Sequence, residues 1–119
     1  MGTKHEAGLA GQQAAEKFLQ SKGYEILARN YRAKSGEVDL IVKDGEYIVF
    51  VEVKFRRGLK YGYPREAVGY TKQKRIMDTA LHYLAHNNLA DTDMRFDVVE
   101  VLEQQGKMYA SHVENAFTG

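Results

Sequence analysis

Two acids and a lysine in otherwise apolar surroundings are the residues here best suited to chemistry. Asp39 lies in Val38-Asp39-Leu40-Ile41-Val42, and Glu52 and Lys54 lie in Val49-Phe50-Val51-Glu52-Val53-Lys54. Between these segments, Lys43-Asp44-Gly45-Glu46 puts Asp-Gly where a tight hairpin prefers it. With Asp44-Gly45 as a two-residue loop, Lys43 faces Glu46, Asp39 lies opposite Phe50, and Glu37 lies opposite Glu52. Residues 37, 39, 50, 52 and 54 then share one sheet face, with Asp39 and Glu52 diagonal neighbours about 7–8 Å apart at the backbone. A one-residue bulge would break that parity.

The Val, Ile, Leu and Phe around these charges make their burial costly unless they neutralise one another or bind an ion. Two carboxylates so placed suit a hard divalent cation that keeps several waters and also takes a substrate phosphate: Mg²⁺, or Mn²⁺ in its place. Such a cation polarises a phosphoryl oxygen and acidifies a water, while Lys54 steadies the hydroxide or the developing negative charge. The plainer alternative is a structural ion-pair cluster, the usual meaning of a lone Glu-x-Lys on a strand. Glu37 either supports a second ion, orients Lys54, or sits at a strand's exposed end.

The elements that must position these residues follow from pattern. Thr3-Lys4-His5-Glu6 reads as a capping box opening a helix that runs to about Lys22, with Ala7, Ala10, Ala14, Ala15, Phe18 and Leu19 at helical spacing and Gly23 as its C-terminal cap. Small residues on that helix imply close packing. Tyr24–Tyr31 predicts a strand and Lys34-Ser35-Gly36 a turn. Ile48-Val49-Phe50-Val51 is a continuous apolar run rather than an alternation, so the Tyr47–Val53 strand is expected to be central, with both faces covered. Phe55–Gly69, with three glycines and the only proline, predicts a long loop. Thr71 then N-caps a second helix to about His86, burying Ile76, Ala80, Leu81 and Leu84, and Asn87-Asn88 closes it. Arg95–Leu102 and Met108–Val113 predict two more strands around a Gln105-Gly106 turn. The order is α-β-β-β-α-β-β, an α/β fold with a central sheet flanked by helices.

Charge is unevenly spread. Net charge is +1, yet Lys54–Arg75 carries eight basic residues against the single acid Glu66, leaving that stretch at +7 and the remainder at −6. A solvated loop is the mundane explanation. Lys72, Lys74 and Arg75 argue for an anion, because they open a helix where the macrodipole disfavours each cation by about 0.3–1 kcal/mol. Arg56, Arg57, Lys60, Lys72, Lys74 and Arg75 are therefore candidates for contacting nucleic-acid phosphates. Tyr61, Tyr63 and Tyr70 interleave with them, either to stack on unpaired bases or to pack the loop. His82 and His86 are four apart on a helix, but without an intervening acid or a third ligand they predict no metal site.

At 119 residues and 13.5 kDa the chain fits one domain, 1–119. With no cysteine, disulfides and thiolate metal sites are excluded. No apolar run reaches the ~18 residues needed to cross a bilayer, and the N-terminus lacks a signal peptide's apolar core, so a cytoplasmic protein is expected. No Gly-rich phosphate loop, nucleophile elbow or Cys/His finger is present.

The run Gly36-Glu37-Val38-Asp39-Leu40-Ile41 followed by Val49-Phe50-Val51-Glu52-Val53-Lys54 resembles the PD-(D/E)XK nuclease signature. More closely, the whole chain resembles the YraN-like family of small bacterial proteins related to Holliday-junction resolvases. The resemblance runs through Gly8, Gly11, Ala15, Leu19, Gly23-Tyr24, Ile26-Leu27 and Asn30-Tyr31-Arg32 to Arg95-Phe96-Asp97 and Asn115-Ala116-Phe117. It implies a restriction-endonuclease-like fold, Asp39 and Glu52 as metal ligands and Lys54 as catalytic lysine. It also singles out Gln73, because related nucleases often place a polar residue on this helix near the substrate. One departure stands out: the family usually carries an acid directly after the second glycine of its first helix, where this chain has Gln12. An amide oxygen can bind a cation or its water but brings no charge. Glu16, one turn on, either substitutes for it or is a solvated helix carboxylate. The expected function is a Mg²⁺-dependent endonuclease on DNA, with branched, flapped or single-stranded structures as substrates to test. The alternative is a nucleic-acid-binding or protein-interaction module that keeps the fold without turnover. A homodimer is the oligomeric state to test, since resolvase-like enzymes commonly act as symmetric pairs.

Overall fold

The Asp-Gly signal marks a real hairpin, but its loop is Gly45-Glu46 and its closing pair Asp44–Tyr47. Gly45 has φ +59 while Glu46 stays out of the positive-φ region. A turn with positive φ at its first central position alone needs glycine there, so the loop moves one residue past the expected Asp44-Gly45. Every pairing downstream shifts by two. Because side chains alternate with period two, that shift changes partners without changing faces.

The structure, a computed structural model, describes residues 4–57 and 68–117, with side chains from Gly8 onward. Its elements are α1 (Lys4–Ser21), β1 (Glu25–Ala33), β2 (Gly36–Asp44), β3 (Tyr47–Arg57), α2 (Tyr70–His86), β4 (Met94–Gln104) and β5 (Lys107–Val113), in the expected order. The strands form one mixed sheet in chain order, antiparallel except for the parallel β3–β4 pair. Parallel neighbours need a crossover, which α2 supplies. The expected Thr3–Glu6 capping box and the 58–67 part of the expected loop, including Lys60, Tyr61 and Tyr63, lie outside the described residues.

Each sheet face has its own core. Val38, Ile41, Ile48, Phe50, Phe96 and Val98 pack under Ile76, Ala80, Tyr83 and Leu84 of α2. Leu40, Val42, Val49, Val51, Val99 and Val101 pack against Ala15 and Leu19 of α1. The continuous apolar run of β3 is thereby covered on both sides, as expected of a central strand. Gly11 explains how α1 approaches so closely: a Cβ there would stand 2.6 Å from Phe55 Cδ1. α1 ends one residue before the expected Lys22, and Gly23 follows at φ +91.

Three local expectations need correction. Phe55–Arg57 continue β3, because β4 pairs with them through Arg57–Glu103, so they are not loop. The N-cap of α2 is Gly69, in extended conformation with no side-chain cap, which leaves Thr71 inside the helix. Leu81 is 55% exposed. The buried stripe is Ile76, Thr79, Ala80, Tyr83 and Leu84 at three- and four-residue spacing, and Leu81 falls off it. Thr79 is tolerated there because its hydroxyl donates to the Arg75 carbonyl at 2.8 Å and meets Ser35 Oγ at 2.7 Å.

Candidate active site

An irregularity shared by two strands opens the sheet at Asp39. Between the β1–β2 pairs Arg29–Leu40 and Tyr31–Val38, Asn30 and Asp39 form no ladder pair, and Asn30 has φ +50. Asparagine is one of the few residues that visits that conformation readily. On the other side the β2–β3 ladder ends at Leu40–Val51, while β3 stays paired to β4. Asp39 bridges the fork with its side chain, Oδ2 accepting the Val53 N–H at 2.8 Å. Packing records the same break. Val38 and Ile41 both join the α2-side core while Leu40 joins the α1-side core, which unbroken alternation forbids. Asp39 therefore lines a cleft on each face, as does Glu37.

Continuing the observed register sets Asp39 level with Glu52 rather than Phe50. The two carboxyl groups line the same cleft and act on each other at close range. Burial, then the charge of Glu52 and the hydrogen bond to it, push the Asp39 carboxyl up to about 7, against the opposing pull of the Val53 N–H and Lys72. Glu52 itself is only 5% exposed, and the ammonium of Lys72 forms an ion pair with its Oε2. Burial would lower the pKa of Lys72, but its bond to Glu52, with the charges of Glu52, Asp39 and Glu37, holds it above the usual lysine value.

A buried carboxylate beside a half-buried one is relieved by a proton or a cation, and this donor set suits an ion that takes a few protein oxygens and fills its remaining positions with water and phosphate. Among the described residues no group of three or more His, Cys, Asp or Glu side chains is arranged so that it could hold a metal ion. Asp39 and Glu52 are the residues that could hold such an ion, midway along β3 where its ladder with β2 ends, in a cleft that also takes in Lys72 and Arg75 of α2. Another cleft, about 660 Å³ and lined by Leu27, Ile48, Tyr83 and Asp93 among others, opens near the β2–β3 turn, away from this pair.

The other expected site residues divide. Gln12 reaches the α1-side cleft beside Asp39, exchanging amide hydrogen bonds with Asn30 at 2.9 and 3.3 Å. Asn30 also donates to Glu37 at 3.3 Å, and Arg32 approaches Glu37 at 3.5 Å. Glu16 instead pairs with Arg29 at 2.8 Å. Lys54 is half-buried beside Glu100 of β4 and takes part in none of the ion pairs among the described residues; the amine on Glu52 is that of Lys72. Gln73 donates to the Val68 carbonyl at 2.6 Å, fastening the chain just before α2. Of the cationic set, Arg75 lines the α2-side cleft with Lys72, Arg57 pairs with Glu103 at 2.8 Å, and Lys74 lies 3.7 Å from Asp78. Arg56 is half-buried on β3. The His82 and His86 rings stack at 4.2 Å, and His82 Nδ1 meets the Tyr31 hydroxyl at 2.6 Å.

A second polar centre escaped the sequence reading. Asp97 is fully buried, and its carboxylate accepts from Arg95 Nε at 2.9 Å and Nη2 at 3.0 Å, from the Asn115 N–H at 2.9 Å, and lies 2.7 Å from His112 Nε2. Burial would raise its pKa, but the His112 and Arg95 bonds hold it below the usual carboxylate value. Arg95 also donates to Asp44 and to the Tyr24 hydroxyl. With its partners all supplied internally, the cluster anchors the segment after β5 to β4. Arg95 and Asp97, two apart on an otherwise apolar strand, were the available signal.

Residues 11–101 match the uncharacterised protein family UPF0102. The chain belongs to this family. It is 46% identical over 112 residues to a UPF0102 protein of Clostridioides difficile, covering 94% of this chain and 96% of the relative. A UPF0102 protein of Symbiobacterium thermophilum is 50% identical over 111 residues, covering 92% and 94%. One from Caldicellulosiruptor saccharolyticus is 51% identical over 98 residues, covering 82% and 83%. The match takes in both site strands, α2 and most of β4. No helix among the described residues is long and apolar enough to cross a membrane.

Proposed function

We propose that this UPF0102 protein is a metal-dependent nuclease that hydrolyses phosphodiesters in DNA, with Asp39, Glu52 and Lys54 as its catalytic residues. The observation that carries the proposal is the convergence of the half-buried Asp39 and the buried Glu52 on one cleft where β2 and β3 part, a pair of acids of which only Glu52 is met by an ammonium, that of Lys72. A divalent cation, Mg²⁺ or Mn²⁺, supplies Lewis-acid polarisation of the phosphate and acidification of a water. Asp39 and Glu52 orient the site toward that charge, with the Val53 N–H fixing the Asp39 rotamer. Lys54, two residues beyond Glu52 on β3, offers an ammonium to the negative charge that develops as water oxygen bonds to phosphorus and the opposite P–O bond breaks. Arg75 and Lys72 at the start of α2 give the phosphodiester a cationic approach, which supports nucleic acid as the ligand class.

The test is incubation with branched, single-stranded and duplex DNA in Mg²⁺ or Mn²⁺, beside Asp39→Ala and Lys54→Ala. Divalent-dependent cleavage lost in both variants is expected. Cleavage that survives both substitutions removes the proposal. Gln12, a neutral residue tied to Asn30 in the Asp39 cleft, favours a second reading: a nucleic-acid-binding module without turnover, in which DNA binds and is never cut.

A further inference from the structure

Lys72 is the least expected feature of the site. It sits in the first turn of α2, at the positive end of the helix dipole, with no acid in that turn and no side-chain cap at Gly69. A cation there needs a local partner. Its partner is Glu52, the buried half of the carboxylate pair, reached from a side chain that is itself 59% exposed. The stem of Lys72 thus lies largely in water while its tip occupies the carboxylate. Lysine suits that arrangement, being a compact charge on a flexible four-carbon tether that can leave without disturbing packing. The cleft that holds Glu52, Asp39 and Lys72 also includes Glu37 and Arg75, so a displaced ammonium still has an acid within its surroundings.

We propose that Lys72 is a built-in counter-ion: its ammonium holds the divalent-cation position on Glu52 while the site is empty and is expelled when the cation binds. This rests on reading Asp39 and Glu52 as the cation's ligands. The consequence is a threshold. Uptake must displace an internal cation, so the site is held weaker than its two carboxylates alone would make it.

The experiment is Mn²⁺ uptake by the intact protein without DNA, read as loss of the free Mn²⁺ electron paramagnetic resonance signal at mildly alkaline pH, with circular dichroism to verify folding. Lys72→Met and Lys72→Gln should bind Mn²⁺ about two- to fivefold more tightly than the parent, the range of a half-exposed ion pair. Lys72→Arg, which keeps the charge, and Lys107→Met, on the distant edge strand β5, should match the parent. Parent, Met and Gln proteins binding equally, or the neutral variants binding more weakly, would overturn the counter-ion role and leave the metal site standing. Binding by none of them removes the metal site and the counter-ion together. Binding by the neutral variants alone is the strongest support, since the displaced charge would then be the whole barrier.

Discussion

Asp39→Asn should make the protein more stable and, on the proposed reading of the site, abolish divalent-cation binding. Asparagine keeps the side-chain shape, its oxygen can still accept the Val53 N–H, and its amide can donate to Glu52 where the native residue needs a proton. The native carboxyl is raised from 3.8 to about 7, and at about 1.36 kcal/mol per unit the ceiling on the resulting effect is about 4 kcal/mol. Coupling to Glu52 and the open cleft bring the expectation to about 2 kcal/mol, a Tm increase on the order of 10 °C for a domain of this size. The sign follows from the direction of the shift. An acid whose folded pKa is raised contributes its stability below the unfolded value and loses it as pH rises through the folded value. Asparagine does not titrate, so urea unfolding of the two proteins without divalent ions should give a difference that is small near pH 4, grows with pH and levels off above about 7. Adding Mg²⁺ should then stabilise the parent and leave the variant unmoved. A variant no more stable than the parent above neutral pH, or a difference that ignores pH, would refute the claim that two like charges are held together here.

Gly11→Ala should lose about 1–3 kcal/mol in urea unfolding, because the new methyl would collide with the Phe55 ring and force α1 away from the end of β3. Asp97→Ala should cost about 3–5 kcal/mol by the same measurement, since it removes the fully buried carboxylate that Arg95, His112 and the Asn115 N–H all meet. Gln12→Glu adds a carboxylate to the Asp39 cleft and should tighten Mn²⁺ binding by about three- to tenfold in a titration, as more anionic oxygen ligands strengthen hard-cation sites. If DNA is cleaved, the same variant should cleave faster; unchanged Mn²⁺ affinity would mean that Gln12 is only a partner for Asn30.

Much of this was legible along the chain because local chemistry decided it. The apolar run Ile48–Val51 announced a strand covered on both sides, and Asp-Gly announced the hairpin that follows Asp39. The two-residue slip of the turn preserved the parity of β2 against β3, but the break in alternation at Asp39 let that residue line clefts on both faces, only one of which holds Glu52. The direct apposition of Asp39 and Glu52 was another matter. It depends on Gly45 taking the left-handed position alone and on Asn30 breaking its ladder opposite Asp39, choices that turn geometry and a neighbouring strand make together. The partner of Glu52 lay further still from view. Lys54 is two residues away, but Lys72 is twenty, and only the crossover that lets β3 and β4 run parallel brings the start of α2 to Glu52 in the middle of β3. Local sequence determined which residues stand on which strand; the path of the chain between strands decided which cation meets the buried acid, because that meeting is a property of the assembled sheet and helix and of no single segment.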